Sequence, residues 1–183
     1  MLTHPIPPVF DAQSRVLILG SFPSVKSREA QFFYGHPQNR FWRVLSALFG
    51  EEAGETPKEK TAFLLRHHIA LWDVIQSCEI TGSADSSIRN AVPNDLSAVL
   101  QAAPGVQIFT NGKTADRLYR RYLLPVTGKD AVCLPSTSPA NAQWSMERLC
   151  GAWQVVRDAT GFNKCYKRFS ALTHKSKFKV HLK

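Results

Sequence analysis

The segment best suited to chemistry covers residues 31–42 and reads QFFYGHPQNRFW. Its aromatic side chains lead into a Gly-His-Pro turn. Asn39 then opens a run with apolar residues at helical spacing, which predicts a helix to about Phe49. Tyr34 and His36 precede this anchored helix, on a loop whose aromatic and amide groups are costly to expose unless a ligand covers them. We therefore expect the functional site at this loop.

An amide such as that of Asn39 can orient a water molecule, but it cannot act as a strong base near neutral pH. A reaction that depends on it needs a good leaving group and a dissociative transition state. Cleavage of an N-glycosidic bond fits, because charge then develops on the sugar and on the departing base. A pocket of aromatic, amide and hydroxyl groups also suits a flat, neutral heterocycle.

Four short apolar runs predict the strands that position these groups. The first of them is apolar on both faces, as is typical of buried strands in a parallel sheet, and helical patterns lie between the four runs. The predicted strands cover residues 15–19, 69–75, 106–110 and 131–134. After the helix that ends near Phe49, the predicted helices cover residues 61–68, 95–103, 112–123 and 142–159. This alternation predicts one α/β domain of three layers, αβα, with a central, mainly parallel four-stranded sheet.

Three informative loops follow the carboxyl ends of the predicted strands, where ligands bind in such sheets. They are 20–39, the segment after Asp73, and 135–141, and we expect them to converge on one mouth. Residues 78–93 are predicted to be a polar connection, longer than a compact domain needs. The helix over 112–123 carries a basic stripe that is an ordinary solvated face unless it lies on the rim of that mouth. The stripe consists of Lys113, Arg117, Arg120 and Arg121.

The composition is that of a globular protein, with 44% hydrophobic and 20% charged residues. No apolar run approaches the roughly 20 residues of a membrane span, and the N-terminus resembles no secretory signal. Four cysteines without a CxxC pair predict reduced thiols in a cytoplasmic protein, and argue against zinc or iron–sulfur clusters. Phosphate-binding glycine motifs are absent from the sequence, so we expect no nucleotide cofactor, and the absence of a GxSxG elbow argues against a serine hydrolase. His67 and His68 have no partner ligands at metal spacing, so we expect no metal.

The net charge of +9 is unevenly distributed. Of the 23 basic residues, seven lie in 162–183, which leaves 16 against 14 acidic residues in the rest of the chain. We therefore predict a domain over 1–161 followed by a basic tail, which suits a polyanionic partner or is simply a solvated, poorly ordered end.

Three motifs give the sequence a specific resemblance. They read GSFPS at 20–24, YGHPQNRFW at 34–42 and LPSTSPAN at 134–141. In type, order and spacing they resemble the motifs of the uracil-DNA glycosylase superfamily, over roughly residues 14–160. The branch of hypoxanthine-DNA (deoxyinosine) glycosylases is the most similar, followed by the mismatch-specific uracil glycosylases.

The resemblance implies a role for each motif residue. The superfamily usually carries a water-positioning Asp or Asn two residues after the glycine, but Phe22 stands there in this chain. The hypoxanthine branch also lacks that residue, and its activity is attributed to the Asn of HPxN, which is Asn39 here. The implied base-binding residues are Tyr34, which stacks on the base, with Phe22, Ser21 and Asp73. The implied DNA-binding residues are Ser136, Ser138, Pro139, Asn141 and His36.

Each implied role has a plainer structural alternative. Asn39 could cap the helix, alone or in addition to catalysis, and Tyr34 could fill the core. The ring of Phe22 could simply pack, His36 could bond within its turn, and Asp73 could be satisfied locally at its strand end. The Ser and Asn side chains of 135–141 could cap a helix rather than bind phosphate.

The resemblance implies a monomeric, monofunctional DNA glycosylase. It would flip a deaminated base from DNA, hypoxanthine first and uracil second, and hydrolyse the glycosidic bond with Asn39 orienting water. Because Phe22 replaces the usual water-positioning residue, a second hypothesis is a non-catalytic DNA-binding module on the same scaffold. A third is a nucleosidase that acts on small molecules.

Overall fold

The structure, a computed structural model, describes residues 1–82 and 84–162. Its central sheet contains four parallel strands in the order β3-β2-β6-β7. They are β2 (Val16–Gly20), β3 (Ile69–Asp73), β6 (Gln107–Asn111) and β7 (Ala131–Leu134). In register, Gly20 lies beside Asp73, and Asn111 lies beside Leu134. The predicted four-stranded parallel sheet is therefore confirmed.

Helices cover both faces of this sheet. The bounds are α1 (Val25–Glu29), α2 (Phe41–Phe49), α3 (Pro57–Arg66), α4 (Ser97–Ala102), α5 (Lys113–Tyr122), α6 (Leu124–Thr127) and α7 (Met146–Ala159). In β2, Val16 and Ile18 face a cluster built with α2, α3 and α7. Leu17 and Leu19 face the opposite cluster, which includes residues of α4 and α5. Alternation along a fully buried strand thus produces the three predicted layers.

A second, antiparallel sheet corrects one prediction. Residues 78–93 are not only a connection, because β4 (Ile75–Glu79) pairs with β5 (Arg89–Pro93) and with β1 (Leu2–Thr3). A one-turn 3₁₀ helix, Asp85–Ser87, precedes β5. The strand pattern was missed because β5 has no buried residue and the pairing contains irregular registers.

Local capping fixes where two long helices begin. Thr56 and Glu59 form a reciprocal capping box at α3, and the Ser145 side chain accepts a hydrogen bond from the Arg148 N–H at α7. Consequently α7 begins at Met146, four residues later than predicted, and leaves the preceding segment as loop.

The predicted basic tail, 162–183, lies outside the described residues except for Phe162. The Phe162 ring packs edge-on against Phe49 and His67. The boundary predicted at 161 remains a prediction.

Candidate active site

A cavity of about 1070 Å³ lies where the four parallel strands end. The last residue of each strand lines it: Gly20, Asp73, Asn111 and Leu134. All ten residues that the sequence singled out also line it. They are Ser21, Phe22, Tyr34, His36, Asn39, Asp73, Ser136, Ser138, Pro139 and Asn141. The predicted convergence of the three loops is therefore present.

The Asn39 amide is held in one orientation. Its Oδ1 accepts hydrogen bonds from the Phe41 N–H at 3.0 Å and from the Thr137 hydroxyl at 2.9 Å. Because the Phe41 N–H can only donate, the contacting amide atom must be the oxygen. Thr137 is fully buried and accepts in turn from the Asn111 Nδ2 at 2.9 Å. With both lone pairs of Oδ1 engaged, the Nδ2 amino group carries the remaining hydrogen-bonding capacity of Asn39.

The bond from the Phe41 N–H satisfies a donor that has no partner within the helix, so Asn39 supports the start of α2. Asn39 is not itself the N-cap residue, because that position is Arg40, which has no side-chain cap bond. This structural role does not compete with catalysis. It fixes the side chain at the cavity wall, as a preorganised catalytic group requires.

Arg40 ties the Asn39 loop to the loop at 135–144. Its Nε donates to the Thr137 carbonyl at 3.3 Å, and its Nη2 donates to the carbonyls of Ser138 at 2.8 Å and Asn141 at 3.0 Å. A fourth side-chain bond joins Nη1 to the Trp144 carbonyl. One guanidinium thus holds together two segments about 100 positions apart in the chain.

Tyr34 is held in a strained backbone conformation, with φ 53°. Its ring stacks on Phe41, with 3.9 Å between the centroids. Its buried hydroxyl makes no well-formed hydrogen bond with the described residues. Burial, and then the Asp73 carboxyl, raise the pKa of this phenol far above its usual range, and the nearby Asn111 amide offsets only part of the rise. Tyr34 packs against Phe41 of the core and also lines the cavity. Core filling and stacking on a base therefore both remain open for this residue.

Asp73 is 4% exposed, and its Oδ2 has no hydrogen-bond partner among the described residues. Only its main chain is satisfied locally, since its carbonyl accepts from the Asn94 Nδ2 at 2.9 Å. Burial, and then the charge of Asp85, raise the pKa of Asp73 to about 7. The alternative that the Asp73 carboxyl is satisfied by nearby hydrogen bonds is therefore wrong for its Oδ2 atom.

Asp85 is a second carboxyl group in the cavity wall. It accepts a hydrogen bond from the Ser21 hydroxyl at 2.8 Å. Burial raises the pKa of Asp85, while this hydrogen bond and the charge of Arg117 lower it in part.

Phe22 and His36 both follow their structural alternatives. The Phe22 side chain is 6% exposed and packs edge-on against His4, with the Arg28 guanidinium over its ring. The His36 Nδ1 accepts from the Gln38 N–H at 3.2 Å, a bond inside the turn. Both still line the cavity, so contact with a base or a phosphate through their other atoms remains a prediction.

The loop at 135–141 is organised by its own side chains. The Ser136 hydroxyl accepts from the Ser138 N–H, the Ser138 hydroxyl accepts from the Ala140 N–H, and the Asn141 Nδ2 donates to the Ser136 carbonyl. These are turn bonds rather than caps of α7, whose cap is Ser145. Pro139 is exposed at the tip. The role of this loop in DNA contact remains a prediction.

The basic stripe on α5 reaches the cavity at one end only. Lys113 lines the cavity at the first residue of the helix, whereas Arg120 pairs with Asp116 at 2.9 Å. Lys113 is thus the stripe residue on the rim of the mouth.

Sequence reasoning missed four residues of this site: Arg40, Asp85, Asn111 and Thr137. Asn111 could have been found, because it ends a predicted strand at the same sheet edge as Asp73. Asp85 lay in the segment treated as a connection. Over the described ranges, no cluster of His, Cys, Asp or Glu side chains could hold a metal ion. In the same part of the chain, every helix is too short or too polar to cross a bilayer.

The fold and the cavity define a parallel α/β domain with an aromatic and amide-lined site at the carboxyl edge of its sheet. The sequence profile of the Uracil DNA glycosylase superfamily matches residues 7–160. The chain belongs to this superfamily, and is a DNA N-glycosylase.

Relatives from two archaea cover most of the chain. The chain is 35% identical over 158 residues to a hypoxanthine DNA glycosylase of Methanosarcina acetivorans, covering 85% of this chain and 98% of that protein. It is 33% identical over 147 residues to a hypoxanthine DNA glycosylase of Methanosarcina barkeri, covering 79% and 92%. A solution NMR structure from M. acetivorans, described as a candidate uracil DNA glycosylase, superposes with a TM-score of 0.74. It is 34% identical, and the match covers 88% of this chain and 99% of that one.

Proposed function

We propose that this protein is a DNA repair glycosylase that removes hypoxanthine from DNA, and uracil as a second substrate, leaving an abasic site. The observation that carries the proposal is the fixed Asn39 amide at the wall of a cavity large enough for a base. The hypoxanthine glycosylases among the relatives support the choice of first substrate.

The base enters the cavity after it is flipped out of the duplex. Flipping costs a few kcal/mol of stacking and pairing, and costs least for a base that pairs poorly. Within the cavity, Tyr34 stacks on the base, and Ser21, Asp73 and the backbone of Phe22 contact its edge. The strained φ of Tyr34 supports this role, because such strain tends to persist at functional sites.

In this mechanism the glycosidic bond breaks before water attacks the sugar. The electron pair of the glycosidic bond leaves with the base, while the sugar becomes an oxocarbenium ion. Asn39 does not take a proton in the rate-limiting step. Instead its Nδ2 donates to the oxygen of a water molecule and positions that water near the sugar carbon. The water oxygen then bonds to that carbon, and the proton it releases passes through solvent to the departing base anion. The engaged Oδ1 supports the donor role, because the opposite polarity would need a third bond to that oxygen.

DNA is held by the loop that Arg40 braces. Ser136, Ser138, Pro139 and Asn141 contact the minor groove and phosphates, together with His36. Lys113 adds a positive charge at the rim. Binding should therefore weaken steeply with salt, since each neutralised phosphate releases counterions. We expect the protein to act as a monomer in the cytoplasm, without a cofactor.

A non-catalytic DNA-binding module is the second candidate, favoured by one observation. Phe22 fills the position of the usual water-positioning residue with a ring that has no hydrogen-bonding group and is 6% exposed. This candidate predicts tight binding to damaged duplexes without any abasic product.

A panel of duplex oligonucleotides tests the proposal. Each duplex carries hypoxanthine, uracil, xanthine, a mismatched thymine or only normal bases, and abasic sites are revealed by alkaline cleavage. We expect the fastest cleavage with hypoxanthine, slower cleavage with uracil and none with the normal duplex. Binding without abasic product would support the second candidate. Hydrolysis of free deoxyinosine at the rate seen in duplex DNA would instead indicate a small-molecule nucleosidase.

A further inference from the structure

Two residues of the cavity wall each have a buried polar atom without a partner. The atoms are Asp73 Oδ2 and Tyr34 Oη, neither of which has a well-formed hydrogen bond with the described residues. The Asp73 carboxyl and the Tyr34 hydroxyl both border Gly20, where an added Cβ would clash with Asp73 Oδ1 and lie 3.2 Å from Tyr34 Oη. Buried polar atoms in proteins are normally satisfied, so these two are available to a ligand with a polar edge.

The surroundings of Asp73 favour its neutral form. Asp85 faces it from the 3₁₀ helix, and the Tyr34 phenol faces it from the loop before α2. His36 and Lys113 line the same cavity, but among the described residues no cation forms an ion pair with Asp73. Arg117 faces Asp85 and favours its ionised form, so Asp85 supplies a like charge. A buried carboxyl group with a like charge nearby and no cationic partner binds its proton more tightly than an exposed one. The pKa of Asp73, raised to about 7 by burial and then by Asp85, agrees with this geometry.

A neutral carboxyl group matches the base that the proposed function requires. Hypoxanthine presents a ring N–H beside a carbonyl, and uracil presents the same pair of groups. The carbonyl oxygen of a neutral carboxyl can accept the ring N–H, while its O–H donates to the base carbonyl. The protonation state matters more as the bond breaks. The departing base then carries negative charge, which a carboxylate would repel and an O–H donor stabilises.

We propose that Asp73 acts in its neutral form as a hydrogen-bond donor to the carbonyl oxygen of the departing base, and that Asp85 is a positioning residue that keeps Asp73 neutral. The inference rests on the proposed function and adds to it the group that stabilises the leaving base. No proton is transferred in this step. The glycosidic electron pair goes to the base, and the Asp73 O–H remains a donor to it.

Single-turnover excision of hypoxanthine from a duplex, measured between about pH 5.5 and about pH 8.5, tests the inference. The rate of the wild-type protein should fall about tenfold between about pH 6 and about pH 8, because Asp73 loses its proton in that interval. Asp73→Asn keeps a donor and an acceptor but cannot ionise, so its rate should show no such fall, whatever its absolute value. Asp85→Asn removes the like charge, so the fall should move to lower pH. Asp130→Asn, which changes an exposed carboxyl outside the cavity lining, should follow the wild-type profile.

The outcomes separate the inference from the function on which it rests. If the wild-type protein releases no hypoxanthine at any pH, the proposed function fails. If it does so but the fall with pH persists in Asp73→Asn, another group is responsible, and the inference is overturned. A rise in wild-type rate through the same interval, or an Asp85→Asn profile that matches wild type, would also overturn it. Circular dichroism across the pH range shows whether each variant stays folded.

Discussion

Replacing Arg40 with lysine should disconnect the two motif loops. The guanidinium donates four side-chain hydrogen bonds to carbonyls of the 137–144 segment, and a lysine ammonium, a single point of charge, can replace about one of them. A hydrogen bond to a charged group contributes about 1.5–3 kcal/mol in mutational series. Three of the four carbonyls belong to half-buried residues (Ser138, Asn141 and Trp144) and can turn partly to water, so we expect Arg40→Lys to lower the free energy of unfolding by about 3 kcal/mol.

For a domain of this size, that loss corresponds to a decrease in Tm of about 6–12 °C. Urea unfolding and thermal melting measure it directly. Hydrogen exchange adds a local readout, since the Asn141 N–H, bonded within the loop to the Ser138 carbonyl, should exchange faster in the variant. Excision should also slow, because the Thr137 hydroxyl that fixes Asn39 lies in the released loop.

Arg43→Lys is the matched control, because Arg43 is exposed on α2, the helix that Arg40 immediately precedes, and lies outside the cavity lining. It should change the free energy of unfolding by less than about 0.5 kcal/mol. If Arg40→Lys is no less stable than Arg43→Lys, and the exchange of the Asn141 N–H is unchanged, Arg40 does not brace the loop and the reasoning is refuted.

Three further perturbations test the site. Thr137→Val removes the hydroxyl between Asn111 and Asn39, so excision should fall about tenfold, measured under single turnover, with the fold retained. Gly20→Ala places a methyl group against the Asp73 carboxyl and should reduce excision and cost about 1–3 kcal/mol in urea unfolding, whereas Gly151→Ala, in open space, should not. Asp73 has a pKa of about 7 in the folded state against an ordinary 3.8. The free-energy cost of ionising it in the folded protein is therefore absent below about pH 3.8 and complete above about pH 7. The free energy of unfolding should therefore fall by about 4 kcal/mol across that interval relative to Asp73→Asn, and parallel curves for the two proteins would contradict this.

The central sheet could be predicted because its strands carry their signal in their own residues. All five residues of β2 are buried, and such a continuous apolar run is typical of a parallel strand covered on both faces. The sheet edge then places Gly20 and Asp73 together without further information. The antiparallel sheet left no such signal, since β5 is half-buried or exposed throughout.

Partners that meet only after folding could not be predicted from sequence. The bonds from Arg40 to its four carbonyls, and from Thr137 to Asn39, join positions about 100 residues apart. The raised pKa of Asp73 depends likewise on its depth and on Asp85, neither of which has a sequence pattern. The sequence motifs located the site, whereas its hydrogen bonds and the pKa of Asp73 depend on tertiary contacts.

Single-turnover excision of hypoxanthine by Asn39→Ala tests the central claim most directly. Gln38→Ala is the matched control, because Gln38 is exposed in the same loop and does not line the cavity. A melting curve for each variant accounts for the lost hydrogen bond at the start of α2, worth about 1 kcal/mol. We predict that Asn39→Ala lowers the excision rate by about 100-fold or more while duplex binding is largely retained, and that Gln38→Ala cleaves like the wild type. An Asn39→Ala protein that is folded and excises hypoxanthine at the wild-type rate would contradict the account.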